Sequence, residues 1–185
     1  FLNTVPEWSG AYPDKPFLVG EFGRATAALS YDTEGVELHI GIWSAPMNGA
    51  AGTAMTWWWD TYVHPNDLWS PLFTGVSAFF ADEDLSSRTW TSPETDWIER
   101  APARIFGLQS EDSALLWIVS REFSAQGLES AYLDNLRAGV ENPLAITFPD
   151  IEGAVLAVIG LNPGSYTVEI WDTMTGEIID TQSVE

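Results

Sequence analysis

A run of apolar residues closing on a carboxylate does most to limit what this chain can fold into. In Pro16-Phe17-Leu18-Val19-Gly20-Glu21-Phe22-Gly23 the apolar side chains follow one another without polar alternation. Such continuity reads as a short strand of a parallel sheet, covered on both faces. A glutamate at the end of such a strand is out of place unless it is paired or does chemistry. Further along, Thr53-Ala54-Met55-Thr56-Trp57-Trp58-Trp59 forms a second run, ending at Asp60. Between the two, Val36, Leu38, Ile40, Ile42, Trp43 and Met47 predict a helix from Gly35 to Met47. Asp32 suits its N-cap, Glu34 favours the dipole of its first turn, and Asn48-Gly49 ends it. Another helix is expected at about Leu68–Phe80, stopping at the acidic stretch Ala81–Asp84. The order strand–helix–strand–helix suits right-handed βαβ units.

After Asp84 the composition changes. Residues 85–102 read as a linker, with Ser86-Ser87-Arg88-Thr89 early and Pro93 and Pro102 later. Beyond them the pattern is β, with strands expected at Ala103–Leu108, Ala114–Ser120, Leu144–Phe148, Ala154–Ile159, Ser165–Asp172 and Glu177–Gln182. Asn142-Pro143, Asn162-Pro163-Gly164 and Thr175-Gly176 supply turns. Phe123–Arg137 fits either a short helix or a long loop. The spacing points to an antiparallel β-sandwich. The fold class expected is α/β followed by all-β, with domains at 1–84 and 103–185 joined by the linker.

Charge narrows the partners. The chain has 27 acidic residues against 7 basic ones, a formal net charge of −20, and Lys15 is its single lysine. That field repels phosphate backbones and anionic membranes, so nucleic-acid and lipid-surface roles are not expected. The longest apolar run, around Ala154–Leu161, suits a strand and falls short of a membrane span. Absence of cysteine removes disulfides and thiolate chemistry, and two histidines without ligand spacing give a metal site little support. No cofactor is expected; acidic turns in the β region would suit at most a structural calcium. No signal segment is visible, and a start at Phe1 instead of Met fits a piece of a longer polypeptide. Of ten tryptophans, Trp8, Trp43, Trp57, Trp58, Trp59 and Trp69 fall early in the chain. Clustered indoles suit stacking on the apolar faces of sugar rings, with core packing as the ordinary alternative.

The stretch Lys15-Pro16-Phe17-Leu18-Val19-Gly20-Glu21-Phe22-Gly23 resembles the seventh strand of clan A retaining glycoside hydrolases, the cellulase- and mannanase-like barrels. That resemblance implies that Glu21 is the catalytic nucleophile. It also matches the following helix and Ala54-Met55-Thr56-Trp57-Trp58-Trp59 to the seventh helix and eighth strand, making 1–84 the last two βα units of a (β/α)8 barrel. Barrels place catalytic groups at C-terminal strand ends, where Glu21 lies in its run. In the family a Trp at the end of the eighth strand stacks under the sugar. Strand parity sets Ala54, Thr56 and Trp58 on one face and Met55, Trp57 and Trp59 on the other. Small and polar residues suit a barrel interior, which favours Trp58 as the platform over Trp57 and Trp59. Asp60, Tyr62 and His64 share the next loop and are candidates to contact the substrate. Arg24 either helps keep Glu21 ionised or lies on the surface, and His39, in mid-helix, reads as structural. The region around Gly160-Leu161-Asn162-Pro163-Gly164 and Trp171-Asp172-Thr173-Met174 is similar to the small C-terminal sandwiches of such enzymes.

One part of the family pattern is missing. A retaining glycosidase needs a second carboxylate, an acid/base about 5–5.5 Å from the nucleophile. In the family it follows an Asn on the fourth strand, but no Asn-Glu pair stands at a strand end here, and Glu141-Asn142 is reversed. Two βα units cannot close an eight-stranded barrel. The remaining N-terminal barrel part is therefore expected from the same polypeptide or a second chain, and this chain alone is expected to be inactive. The function expected is retaining O-glycoside hydrolysis of a polysaccharide or β-glycoside, outside the cell or at its surface. The alternative is a non-catalytic carbohydrate-binding or cell-surface scaffold.

Overall fold

Helix α1 (Val36–Ser44) has Gly35 at its N-cap, where sequence placed Asp32, and the buried Asp32 carboxylate serves its first turn from further back. Asp32 accepts the backbone N–H of Val36 at 2.7 Å and that of Glu37 at 2.8 Å, which satisfies two of the donors a helix start leaves open. Eight of the nine residues of α1 are buried, so the helix is enclosed nearly all round. This is a computed structural model, and it describes residues 5, 7, 11, 15–24 and 29–185. Trp8 and positions 25–28 of the loop after Glu21 lie outside the described residues.

On either side of α1 in sequence stand β1 (Glu21–Phe22) and β2 (Met55–Thr56), paired in parallel with Glu21 opposite Met55 and Phe22 opposite Thr56. Phe22 leans on α1 at Gly41, where any Cβ would overlap its ring, so this glycine sets the spacing between helix and strand pair. The second helix, α2 (Trp69–Phe80), buries Leu72, Gly75 and Val76.

Three antiparallel pairs follow. β4 (Ala103–Gln109) and β5 (Ala114–Ser120) form a hairpin, β3 (Glu94–Glu99) pairs with β6 (Val155–Ile159), and β7 (Tyr166–Trp171) pairs with β8 (Ile178–Val184). Between β5 and β6 lies α3 (Ala125–Ala138), capped by Ser124, whose hydroxyl accepts the Gly127 N–H at 3.1 Å. The segment that sequence left open between helix and loop is thus a helix. Trp117 and Val119 of β5 and Leu128 of α3 share one buried cluster with Leu38, Ile42, Trp43 and Leu72 of α1 and α2. Trp43 stacks on Trp117 at 6.4 Å between ring centres. The turn after β7 docks on α2, with Trp171 edge-on to Phe79 at 5.7 Å.

The expected fold class is overturned. In place of two βα units of a (β/α)8 barrel, the parallel sheet is one pair of two-residue strands. The run 16–23 is not covered on both faces: Val19 is buried, but Leu18 is 62% exposed. Beyond Thr56 the chain turns and winds into a wide helical turn, Trp59–Val63, which cuts short the strand expected over 53–59. The antiparallel β-sandwich is overturned as well. A sandwich buries the facing sides of two sheets, whereas every residue of β8 is exposed and Ile179 is 64% accessible. Residues 144–148 form no strand, and β3 lies inside the stretch read as a linker. The architecture is a mixed α/β one, in which four two-stranded sheets accompany three α-helices among the described residues.

Candidate functional site

The parallel register places the carboxylate and the tryptophans at one strand end. The Trp57 N–H donates to the Phe22 carbonyl at 2.7 Å, carrying the pairing one residue past β2. Side chains alternate along a strand, so Glu21 and Met55 share one face while Phe22 and Thr56 share the other. The Phe22 face is the one turned to α1, and Thr56 is buried there. Glu21 lies on the open face and is exposed.

The backbone leaving Glu21 is held from two sides. The indole N–H of Trp58 donates to the Arg24 carbonyl at 2.5 Å, and its ring lies close against Gly23. The Arg24 N–H donates to the Glu37 carboxylate at 2.8 Å. Burial pushes the Glu37 carboxyl above its ordinary range, with the Arg24 N–H and guanidinium acting in the opposite direction. The guanidinium of Arg24 stands 4.0 Å from Glu129 of α3, a half-exposed pair of small energetic weight.

The other sequence-predicted residues separate into two groups. Trp57 and Trp59 are 57% and 55% exposed, and Asp60 and His64 are exposed on the same wide turn. Trp58 is half-buried, with its N–H already engaged. Tyr62 turns inward: it is buried, and its hydroxyl donates to Asp32 at 2.7 Å. Burial first, and then the Asp32 charge, push the Tyr62 hydroxyl well above its usual range. His39 is buried within α1, edge-on to Phe123 at 5.4 Å.

Two residues of this site escape a reading of the sequence. Glu37 looks like an ordinary acidic residue in a helix's first turn, and nothing local shows that it reaches the Arg24 backbone. Asp32 is legible as a cap, but its bond to Tyr62 spans thirty residues. Among the described residues no group of three or more His, Cys, Asp or Glu could hold a metal ion. No helix among them is long and apolar enough to cross a membrane.

Comparison with protein-family models, with curated proteins and with solved structures finds no match to this chain. The arrangement itself is an exposed carboxylate at the strand end that leads to two exposed tryptophans, with the Arg24 backbone held by Trp58 and Glu37. Indole faces accept the C–H faces of sugar rings, and a carboxylate can accept sugar hydroxyls or attack an anomeric carbon.

Proposed function

We propose that this chain carries the nucleophile and part of the sugar platform of a retaining O-glycoside hydrolase, with Glu21 as the nucleophile. The observation behind the reading is the parallel register of β1 and β2, which sets exposed Glu21 at the same strand end as Trp57–Trp59. The resemblance of Lys15–Gly23 to the nucleophile strand of retaining enzymes supports it.

In this reading a sugar ring stacks on Trp57 or Trp59, and the Glu21 carboxylate attacks the anomeric carbon. The bond to the leaving oxygen breaks, and a second carboxylic acid protonates that oxygen. Water then hydrolyses the glycosyl ester, giving its proton to the same second group. That acid/base comes from an N-terminal segment of the same polypeptide or from a second chain. The clamp on Arg24 by Trp58 and Glu37 keeps the strand end, and hence the nucleophile, in one position. A β-linked polysaccharide or glycoside outside the cell is the substrate class.

Glu21→Gln in the full-length protein is expected to lower turnover of an aryl β-glycoside by about a thousandfold or more, a typical scale for losing a nucleophile. Wild-type turnover in that variant would refute the assignment. A second reading is favoured by the exposure of both Trp57 and Trp59: a sugar-binding surface without catalysis. Under it, neither the native protein nor Glu21→Gln turns over the glycoside, while Trp57→Ala still loses oligosaccharide binding.

A further inference from the structure

Behind the strand end, Arg24, Glu37, Asp32, Tyr62 and Trp58 close a ring of hydrogen bonds. Glu37 accepts the Arg24 N–H at 2.8 Å, and the Glu37 N–H donates to Oδ2 of Asp32 at 2.8 Å. The Tyr62 hydroxyl donates to the same oxygen at 2.7 Å. The Tyr62 N–H donates to the Trp58 carbonyl at 2.9 Å, and the Trp58 indole N–H returns to the Arg24 carbonyl. Arg24 is thus held at both its N–H and its carbonyl, a few positions after Glu21.

The two halves of the ring differ in strength. Asp32 and Tyr62 are 1% and 2% exposed, so water does not compete for the bond between them. Burial first, and then the Asp32 charge, keep the proton on the Tyr62 hydroxyl, which makes it a constant donor. The two bonds to Arg24 lie in the exposed half, where water competes and each is worth less. Those two bonds also come from different elements. Glu37 belongs to α1, whereas Trp58 immediately precedes the wide turn Trp59–Val63 that carries Tyr62. The buried Tyr62–Asp32 bond joins that turn to the start of α1, so it fixes how far apart the two holds on Arg24 stand.

We propose that Asp32 and Tyr62 are positioning residues for the Glu21 nucleophile, their buried bond setting the Arg24 backbone and through it the strand end. The inference rests on the glycosidase reading. Both side chains are buried and act through Glu37 and Trp58, not on the sugar.

The test uses the full-length protein and a fluorinated dinitrophenyl β-glycoside, whose labelling of Glu21 needs no acid catalyst. Tyr62→Phe opens the ring at its buried bond and leaves Glu21 and the tryptophans in the sequence. It is expected to slow labelling about tenfold or more, because an ångström of misplacement costs about a hundredfold. Glu37→Ala opens the ring at Arg24 and is expected to slow labelling to a similar extent. Glu37→Gln, which keeps an acceptor for the Arg24 N–H, is expected to label at the native rate. Gly75→Ala, which strains the contact of α2 with Thr173 and leaves the ring intact, is also expected to label at the native rate. If Tyr62→Phe fails to fold, the two Glu37 variants decide. A native rate in folded Tyr62→Phe or in Glu37→Ala, equal slowing in Gly75→Ala, or no recovery in Glu37→Gln would each overturn the proposal alone. A native protein that is never labelled at Glu21 would overturn the glycosidase reading and this inference with it, so the two failures are told apart.

Discussion

Two titratable side chains two residues apart in α1, Glu37 and His39, pull stability in opposite directions as pH changes. Burial raises Glu37, so between the ordinary glutamate range and its folded value the native state holds more protons than the unfolded one. Stability therefore falls as pH rises through that window. Glu37→Gln keeps an acceptor for the Arg24 N–H but cannot ionise. Its stability relative to wild type is expected to grow with pH above about 4.3, measured by urea melts at stepped pH. His39 acts the other way. Its folded value, about 4, lies below the ordinary 6.5, so the unfolded state binds the proton first. The stability tied to His39 is fully present above 6.5 and is lost as pH falls through 4, a loss of about 3 kcal/mol from the size of the shift. His39→Phe is expected to flatten that limb of the stability–pH curve; an unchanged limb would mean that the imidazole is not buried neutral. Of these residue roles, the structural place of His39 was legible from its mid-helix position. The reach of Glu37 to Arg24 was not, because the 13-position separation says nothing of where the loop returns.

At the scale of elements, packing against backbone decides what may change. Gly75 lies in α2, where alanine would gain about 1 kcal/mol of helix propensity. Its position faces the Thr173 carbonyl of the turn between β7 and β8, and a Cβ there would overlap it. Overpacking costs about 1–3 kcal/mol, so Gly75→Ala is expected to destabilise by up to about 2 kcal/mol net, read from thermal melts. A stabilised variant would show that the turn does not dock on α2. Helices α1 and α2 and the strands β4 and β5 were largely legible, since Val36–Ser44, Trp69–Phe80, Ala103–Gln109 and Ala114–Ser120 follow their apolar patterns, whereas α3 was left open between helix and loop. The strands around the site were not. Apolar runs at 16–23 and 53–59 mark burial, but how much of each pairs depends on neighbours that are distant in sequence. Here the strands are two residues long, with one further bond at Trp57, and the side chains of Leu18 and Trp57 emerge on the surface.

For the whole molecule, the sequence pattern suggested layers that the chain does not build. Strand–helix–strand order is present, yet it yields one short parallel pair, and the β region yields separate ladders with exposed faces. Local periodicity reports which residues prefer to be buried, not how many strands join a sheet. The proposed site needs only one strand end: Glu21 pairs opposite Met55, two residues before Trp57, and Trp58 and Glu37 hold the Arg24 backbone that follows. The central claim, that Glu21 is a glycosidic nucleophile, is tested most directly by covalent trapping. A fluorinated β-glycoside with a dinitrophenolate leaving group needs no acid catalyst, because the departing oxygen takes the bonding electron pair and stays unprotonated. Incubation with the full-length protein, digestion and mass spectrometry are expected to find one fluoroglycosyl ester, on the peptide containing Glu21. A label on another carboxylate, or hydrolysis of glycosides with Glu21 unmodified, would contradict the account.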